Sequence, residues 1–282
     1  MRRDFAVFIL SHGRANQQLT VEMLEKCSYS GRLYIIVDDE DAQKDIYKAI
    51  YGEKVIVFSK KEIESTFDTM TNQKEYRSVV YARNVCYEIA NKLDAKYVLM
   101  CDDDISSLLF RVFNGEKLKG YKIKDIDKLF ESMIEYISSA NLAALGFSQE
   151  GAYVGGASSK KYREGCNRLV SQMFLIDMTK KVPFRGIFNE DFNYSIDVGV
   201  AGEVALSTML VSIKSPKRMT NEGGLHDLYV DNGVYVREFY SKIAHPGTVR
   251  IEVKGHDLTF RTNRDSDVPK IISSSYRKEV TA

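Results

Sequence analysis

The chain has 282 residues, with 40 Lys and Arg against 39 Asp and Glu, for a formal charge of +1. That length suits one large α/β domain or two small ones with a sizeable core. The even balance excludes a strongly basic or acidic protein, so nucleic acid could be met only through a local basic face.

FAVFILS (5–11) is a short apolar run that stops at Ser-His-Gly, and reads as a buried strand. ANQQLTVEMLEKC (15–27) has Leu19, Met23 and Leu24 at helical spacing. RLYIIVDDE (32–40) is a second apolar run that ends in acids. DAQKDIYKAIYG (41–52) reads as a helix closed by Gly52, and KVIVFSK (54–60) as a third strand. Residues 61–76 are polar and read as a loop, RSVVYARNVCYEIANKL (77–93) as a helix, and KYVLMCDDD (96–104) as a fourth strand. This β-α-β rhythm predicts a mixed, mostly parallel sheet flanked by helices. In such a sheet, ligands bind beyond the carboxyl ends of the strands, where Ser11 to Arg14, Asp38-Asp39 and Asp102 to Asp104 would gather.

Farther along, IKDIDKLFESMIEYISSA (123–140) has apolar residues in steps of three and four, which make a helix. LAALGFS (142–148), RLVSQMFLIDM (168–178) and ALSTMLVSI (205–213) read as strands. The Gly-, Ser- and charge-rich stretch 149–165 reads as a long mobile loop. A helix at 234–243 and a charged strand at 249–255 follow. The simplest organisation is one domain over residues 1–230, with a C-terminal extension, 231–282, packed on it.

No apolar run reaches the roughly 18–20 residues of a transmembrane helix, and FAVFIL is too short for the core of a signal peptide. Cys27, Cys86, Cys101 and Cys166 form no CxxC pair. A reduced, cytoplasmic protein that makes no membrane contact is expected.

In YVLMCDDDISSLLF (97–110), three consecutive aspartates sit between apolar segments. Like charges this close need an offsetting partner. Successive strand residues face opposite ways, so Asp102 and Asp104 would point together and Asp103 away. Such a D-x-D pair can hold a hard cation, Mn2+ or Mg2+, whose shell is completed by phosphate oxygens and water. A solvated acidic turn with one Asp capping a helix is the plainer alternative.

ILSHGRA (9–15), ARNVCYEIA (82–90), VLMCDDDIS (98–106) and NEDFNYSIDVGVAG (189–202) together resemble a GT-A-fold glycosyltransferase. More narrowly, the chain resembles the phage TET-associated glycosyltransferases, which modify hydroxymethylpyrimidines in DNA. The resemblance implies a GT-A-like fold, a UDP-linked nucleotide-sugar donor, a divalent metal and DNA as acceptor. It assigns Ser11, His12, Arg14, Asp38, Arg83, Asp102 and Asp103 to the donor. It assigns Asp104, Asp102 and a later histidine, His226, to the metal. Asp191 or Glu190 would be the general base of an inverting transfer, and helix capping by the same residues is equally compatible. Basic residues of 149–165, with Lys180, Lys181, Arg185, Lys214, Lys217 and Arg218, are candidates for the acceptor phosphates. Two other readings are a transferase acting on a glycan, protein or small-molecule acceptor, and a degenerate fold used for binding. A phosphatase with a D-x-D nucleophile is disfavoured, because that motif belongs on a first strand and three strands precede it here.

Overall fold

The computed structural model describes residues 1–72, 75–167, 169–216, 233–255, 257–262, 269 and 271–276. The strands are β1 (Phe5–Leu10), β2 (Arg32–Asp38), β3 (Val55–Phe58), β4 (Tyr97–Asp102), β5 (Ser107–Phe113), β6 (Leu118–Lys122), β7 (Ala144–Gln149), β8 (Cys166–Asn167), β9 (Met173–Asp177), β10 (Ala205–Lys214), β11 (Val249–Lys254) and β12 (Asp257–Thr262). The helices are α1 (Leu19–Lys26), α2 (Lys44–Tyr51), α3 (Lys60–Ile63), α4 (Val80–Lys92), α5 (Ile126–Ser139), α6 (Lys160–Glu164), α7 (Glu190–Val200) and α8 (Val234–Ala244).

Ten strands form one mixed sheet in the order β3-β2-β1-β4-β9-β7-β10-β5-β6, with β8 paired to β10. Strands β1 to β4 are mutually parallel, as the β-α-β rhythm requires, and β9 and β5 run against their neighbours. All six residues of β1 are buried, because the strand lies inside the sheet with helices over both faces. Its alternate residues serve two cores. Phe5, Val7 and Ile9 pack beneath α1, α2 and α5, whereas Ala6, Phe8 and Leu10 pack beneath α4 and α7.

The predicted helix 123–140 is α5. Asp125 caps it by accepting a 3.2 Å hydrogen bond from Lys128 N, and Ile126, Phe130, Met133, Ile134 and Ile137 form its buried stripe. Gly52 ends α2 at φ 57°, a conformation that a side chain would strain. Two readings are corrected. The polar segment 61–76 begins with α3 and a 3-10 turn that bury Lys60 and Ile63. Residues 149–165 form two 3-10 turns and α6, tied back where the Tyr153 hydroxyl donates to Met209 O at 3.0 Å. The segment after the acidic triplet forms the β5–β6 hairpin, which extends the sheet through β10.

Among the described residues beyond 232, several pack against α7 and the residues that lead into it. Phe188 and Tyr240 meet edge to face at 5.2 Å, Phe192 and Phe260 at 4.3 Å, and the Asn189 amide donates to Arg237 O and Ser241 Oγ. Among the described residues, no helix is long and apolar enough to cross a membrane.

Candidate active site

Strand order reverses around β1. The chain goes from β1 to β2 and β3 on one side, then returns to β4 on the other. The carboxyl ends of β1 and β4 therefore border a topological switch point, with Leu10 and Asp102 in register. Ser11 follows the first and Asp103 the second. The Ser11 hydroxyl donates to Asp103 Oδ2 at 2.5 Å and accepts from Gln18 Nε2 at 2.7 Å. Tyr47 OH lies 2.6 Å from the same oxygen and accepts from Arg14 N at 2.8 Å. Arg14 Nη1 meets Asp103 Oδ1 at 2.8 Å, so both oxygens of this buried carboxylate are engaged within the protein. Thr20 clamps the same turn. Its hydroxyl donates to Asp102 O at 2.6 Å and accepts from Ile105 N at 2.9 Å.

His12 and Asp38 meet beside this turn, with Nδ1 and Oδ2 2.6 Å apart. Lys60 Nζ lies 2.8 Å from the other Asp38 oxygen, and Gly13 N donates to Asp41 Oδ2 at 2.7 Å. The Asp38 hydrogen bond raises the affinity of His12 for its proton. His12, Asp38 and Asp41 offer ligand atoms within 4.8 Å of one another. The buried Lys60 ammonium already supplies a cation there, so the cluster reads as a charge-balanced wall of the site.

On the opposite face of β4, Arg83 of α4 is only 2% exposed. Its Nη2 lies 2.7 Å from Asp102 Oδ1, its Nε lies 3.7 Å from Glu190 Oε1, and its guanidinium sits 5.0 Å from the centre of the Phe174 ring. Glu190 opens α7 and faces inward. Burial, and then the neighbouring Asp191 charge, push its carboxyl up to about 8. Asp191 is half-buried in the same first turn. Asn189, at the N-cap position, makes no capping hydrogen bond with its side chain, which reaches α8 instead.

Asp102 and Asp103 thus point to opposite faces, but β4 ends at Asp102 and the alternation stops there. Just past the strand end, Asp104 lines an open cleft of about 230 Å³ with Arg14, Asn16, Gln17, Leu19 and Glu22. Asp103 has Arg14 and Asp102 has Arg83, whereas Asp104 has no ion-pair partner among the described residues. One of its oxygens is buried without a hydrogen bond. Burial, and then the charges of Asp102 and Asp103, raise its pKa to about 6. An orphaned, crowded carboxylate oxygen at a strand end fits a divalent cation, which would relieve both the repulsion and the missing bond. His226 lies outside the described residues.

Residues 5–224 match the family described as TET-Associated Glycosyltransferase. The chain belongs to that family. No curated protein sequence matches it. Among solved structures, the mannosyltransferase PcManGT from Pyrobaculum calidifontis, in complex with GDP-Man and Mn2+, aligns at TM-score 0.48 and 11% identity, over 78% of this chain. The chain spans only 59% of that relative's length. Glucosyl-3-phosphoglycerate synthase from Mycobacterium tuberculosis, in complex with Mg2+ and uridine-diphosphate, aligns at 0.48 and 12% identity, over 93% of this chain and 88% of that one. S. aureus TarS 1-349 in complex with UDP-GlcNAc aligns at 0.42 and 12%, over 80% and 63%.

Several side chains that build the site in this TET-associated glycosyltransferase were not nominated from sequence: Lys60, Asp41, Tyr47, Gln18 and Gln43. Lys60 had a usable signal, since it follows β3 as Asp102 ends β4, and polar residues at parallel strand ends converge. The others come from helix starts that reach back over the β1 turn, where Gln43 donates to Gly13 O at 2.9 Å and accepts from Ala15 N at 2.9 Å. The nominated basic clusters of the second half are largely engaged internally. Lys180 pairs with Glu203 at 2.8 Å and bonds Asn141 O, Arg185 makes two hydrogen bonds to Asp197, and Lys181 sits over the Tyr87 ring. Lys217 and Arg218 lie outside the described residues.

Proposed function

We propose that this chain transfers a sugar from a UDP-linked nucleotide-sugar to the hydroxyl of a hydroxymethylated pyrimidine in DNA, with Mn2+ or Mg2+, as a step of phage DNA hypermodification in the host cytoplasm. The observation that carries the metal-dependent reading is Asp104, the one aspartate of the triplet with no ion-pair partner among the described residues and with a buried oxygen unbonded. Family membership supports glycosyl transfer, and the family's description supports a modified DNA acceptor.

In this reading Asp104 holds the cation directly, with the outward oxygen of Asp102 and His226 as further ligands. When bound, the cation neutralises the diphosphate as it departs. Arg14 and Ser11 fix the turn through Asp103, so that the Asp104 oxygen is placed before the donor arrives. His12 and Asp38 offer a hydrogen-bonding wall to the nucleoside. Arg83 holds Asp102 in position and keeps the first turn of α7 close. The bond from the anomeric carbon to the diphosphate oxygen breaks, and the acceptor oxygen forms the new bond to that carbon. The acceptor's proton passes to Asp191, and the nucleoside diphosphate leaves. Glu190 is ill suited to accept that proton, because its own proton is retained up to about pH 8.

The test is donor binding by thermal shift, with UDP- and GDP-sugars in the presence and absence of Mn2+ or Mg2+. A ligand that binds only the folded state raises the melting temperature. A metal-dependent rise in the native protein that disappears in Asp104→Asn supports the reading. A rise of equal size without metal, or one that persists in the variant, overturns it.

A further inference from the structure

We infer that the β5–β6 hairpin is the surface on which a nucleic-acid strand lies, with bases against Phe110 and Tyr121 and phosphates on the hairpin lysines. The inference rests on the reading of DNA as the acceptor and adds to it the place where the strand is held.

The hairpin has two unlike faces. Paired residues of an antiparallel ladder share a face. The register sets Phe110 opposite Tyr121 and Val112 opposite Lys119 on one face, and Leu109 opposite Lys122, Arg111 opposite Gly120 and Phe113 opposite Leu118 on the other. Arg111 is held down. Its Nε donates to Ser212 Oγ at 2.7 Å, its Nη2 meets Glu150 at 3.2 Å, and its guanidinium lies 4.8 Å from the Tyr153 ring centre. Gly120 leaves room for it, since a Cβ there would lie 3.2 Å from Arg111 Nη1. The other face is bare: Phe110 is 42% exposed, Val112 47% and Tyr121 52%.

Charge selects the occupant. Residues 107–124 carry Arg111, Lys117, Lys119, Lys122 and Lys124 against the single acid Glu116, a net +4 where the whole chain carries +1. The four lysines are exposed and form no ion pair among the described residues. Lysines on an edge strand commonly serve to prevent sheet-to-sheet pairing, and β6 is the last strand of the sheet order. That role explains charge but not two large aromatic rings in solvent beside it. Aromatic side chains interleaved with cations are the arrangement that stacks bases and tracks phosphates. A second copy of this chain would bring like charge against like charge. The hairpin begins at Ser107, three residues past Asp104, so a strand lying on it runs toward the cleft.

The experiment uses the full chain without nucleotide-sugar, and fluorescence anisotropy of a labelled 15-nucleotide single strand and its duplex. Native protein is compared with the double variants Phe110→Ala/Tyr121→Ala and Lys117→Gln/Lys119→Gln, and with Tyr121→Phe. All four positions are exposed, and melting curves check folding. The aromatic pair is expected to weaken binding by about tenfold or more, whereas Tyr121→Phe keeps the ring and the affinity. The lysine pair is expected to lower the slope of log Kd against log salt by roughly 1.4 on the single strand. DNA binding by the native chain with unchanged affinity in every variant overturns the hairpin assignment and leaves the DNA acceptor standing. Absence of DNA binding by the native chain overturns both. A dimer that the aromatic pair converts to monomer makes this face a self-association surface and also overturns the inference.

Discussion

Arg83 lies buried in α4 with one guanidinium nitrogen 2.7 Å from Oδ1 of Asp102, the last residue of β4. Two more of its nitrogens are buried without hydrogen bonds, so this cation depends on nearby negative charge for its stability. Burial and the Asp191 charge push the Glu190 carboxyl toward its protonated form, so Asp102 is the charge that Arg83 chiefly balances.

Arg83→Met should therefore destabilise the protein by about 2–3 kcal/mol. That is below the usual loss for breaking a fully buried pair, because the Asp102 side chain is 33% exposed. Asp102→Asn in the same chain should recover part of the loss. Urea unfolding of the two single variants and the double variant gives the coupling directly. Strict additivity would show that the 2.7 Å contact contributes no coupling to stability.

Glu190 sets a pH dependence of stability. The unfolded chain ionises this carboxyl near the ordinary value of about 4.3, whereas burial and the Asp191 charge hold the folded group protonated up to about 8. The unfolded state therefore releases a proton that the folded state retains, and stability falls as pH rises from about 4.5 to about 8 before levelling off. Glu190→Gln keeps the shape and removes the titration. It should match the native protein near pH 4.5 and exceed it at pH 8.5 by several kcal/mol. Denaturant midpoints at those two values decide the matter, and an equal gap at both would show that Glu190 is not the group responsible.

The slope has the same sign at His12, but there it is the charged form that the fold stabilises. Asp38 raises its pKa above the ordinary value near 6.5. The stabilisation is fully present below the unfolded value and fades as pH rises through the folded one. His12 is 43% exposed, so the effect is screened and should stay below about 1 kcal/mol. His12→Gln should be measurably less stable than native at pH 5.5 and close to it at pH 8.5. A gap that widens with pH would contradict the pairing with Asp38.

What the sequence revealed and what it hid have physical reasons. β1 to β4 were legible because each is an apolar run closed by polar residues, and parallel strands buried on both faces read that way. The acidic triplet was legible because burial next to charge is chemically unusual. The β5–β6 hairpin was not, since LLFRVF and LKGYK mix exposed aromatic residues with lysine, and β5 finds its other sheet partner, β10, only about a hundred residues later. The same distance hid the fate of the basic residues. Lys180 and Arg185 look free in the chain, but their acids Glu203 and Asp197 arrive only by folding.

Asn189 joins α8 to the start of α7, and its two contributions can be separated. Its φ is 53°, in the left-handed region that Asn tolerates better than other side chains. Its amide donates to Arg237 O at 2.9 Å and to Ser241 Oγ at 2.8 Å, both on α8. Asn189→Gly keeps the backbone unstrained and loses only the hydrogen bonds, so it should destabilise by about 1–2 kcal/mol. Asn189→Ala loses the bonds and adds left-handed strain, so it should destabilise by roughly 1 kcal/mol more than the glycine variant. Because Glu190 and Asp191 follow directly, both variants should also weaken glycosyl transfer by loosening the first turn of α7. That loss should appear mainly in kcat, with metal-dependent donor binding at Asp104 little changed. Equal stability of the two variants would show that the backbone there relaxes without strain. Full activity in both would show that α8 does not position the turn that carries Asp191.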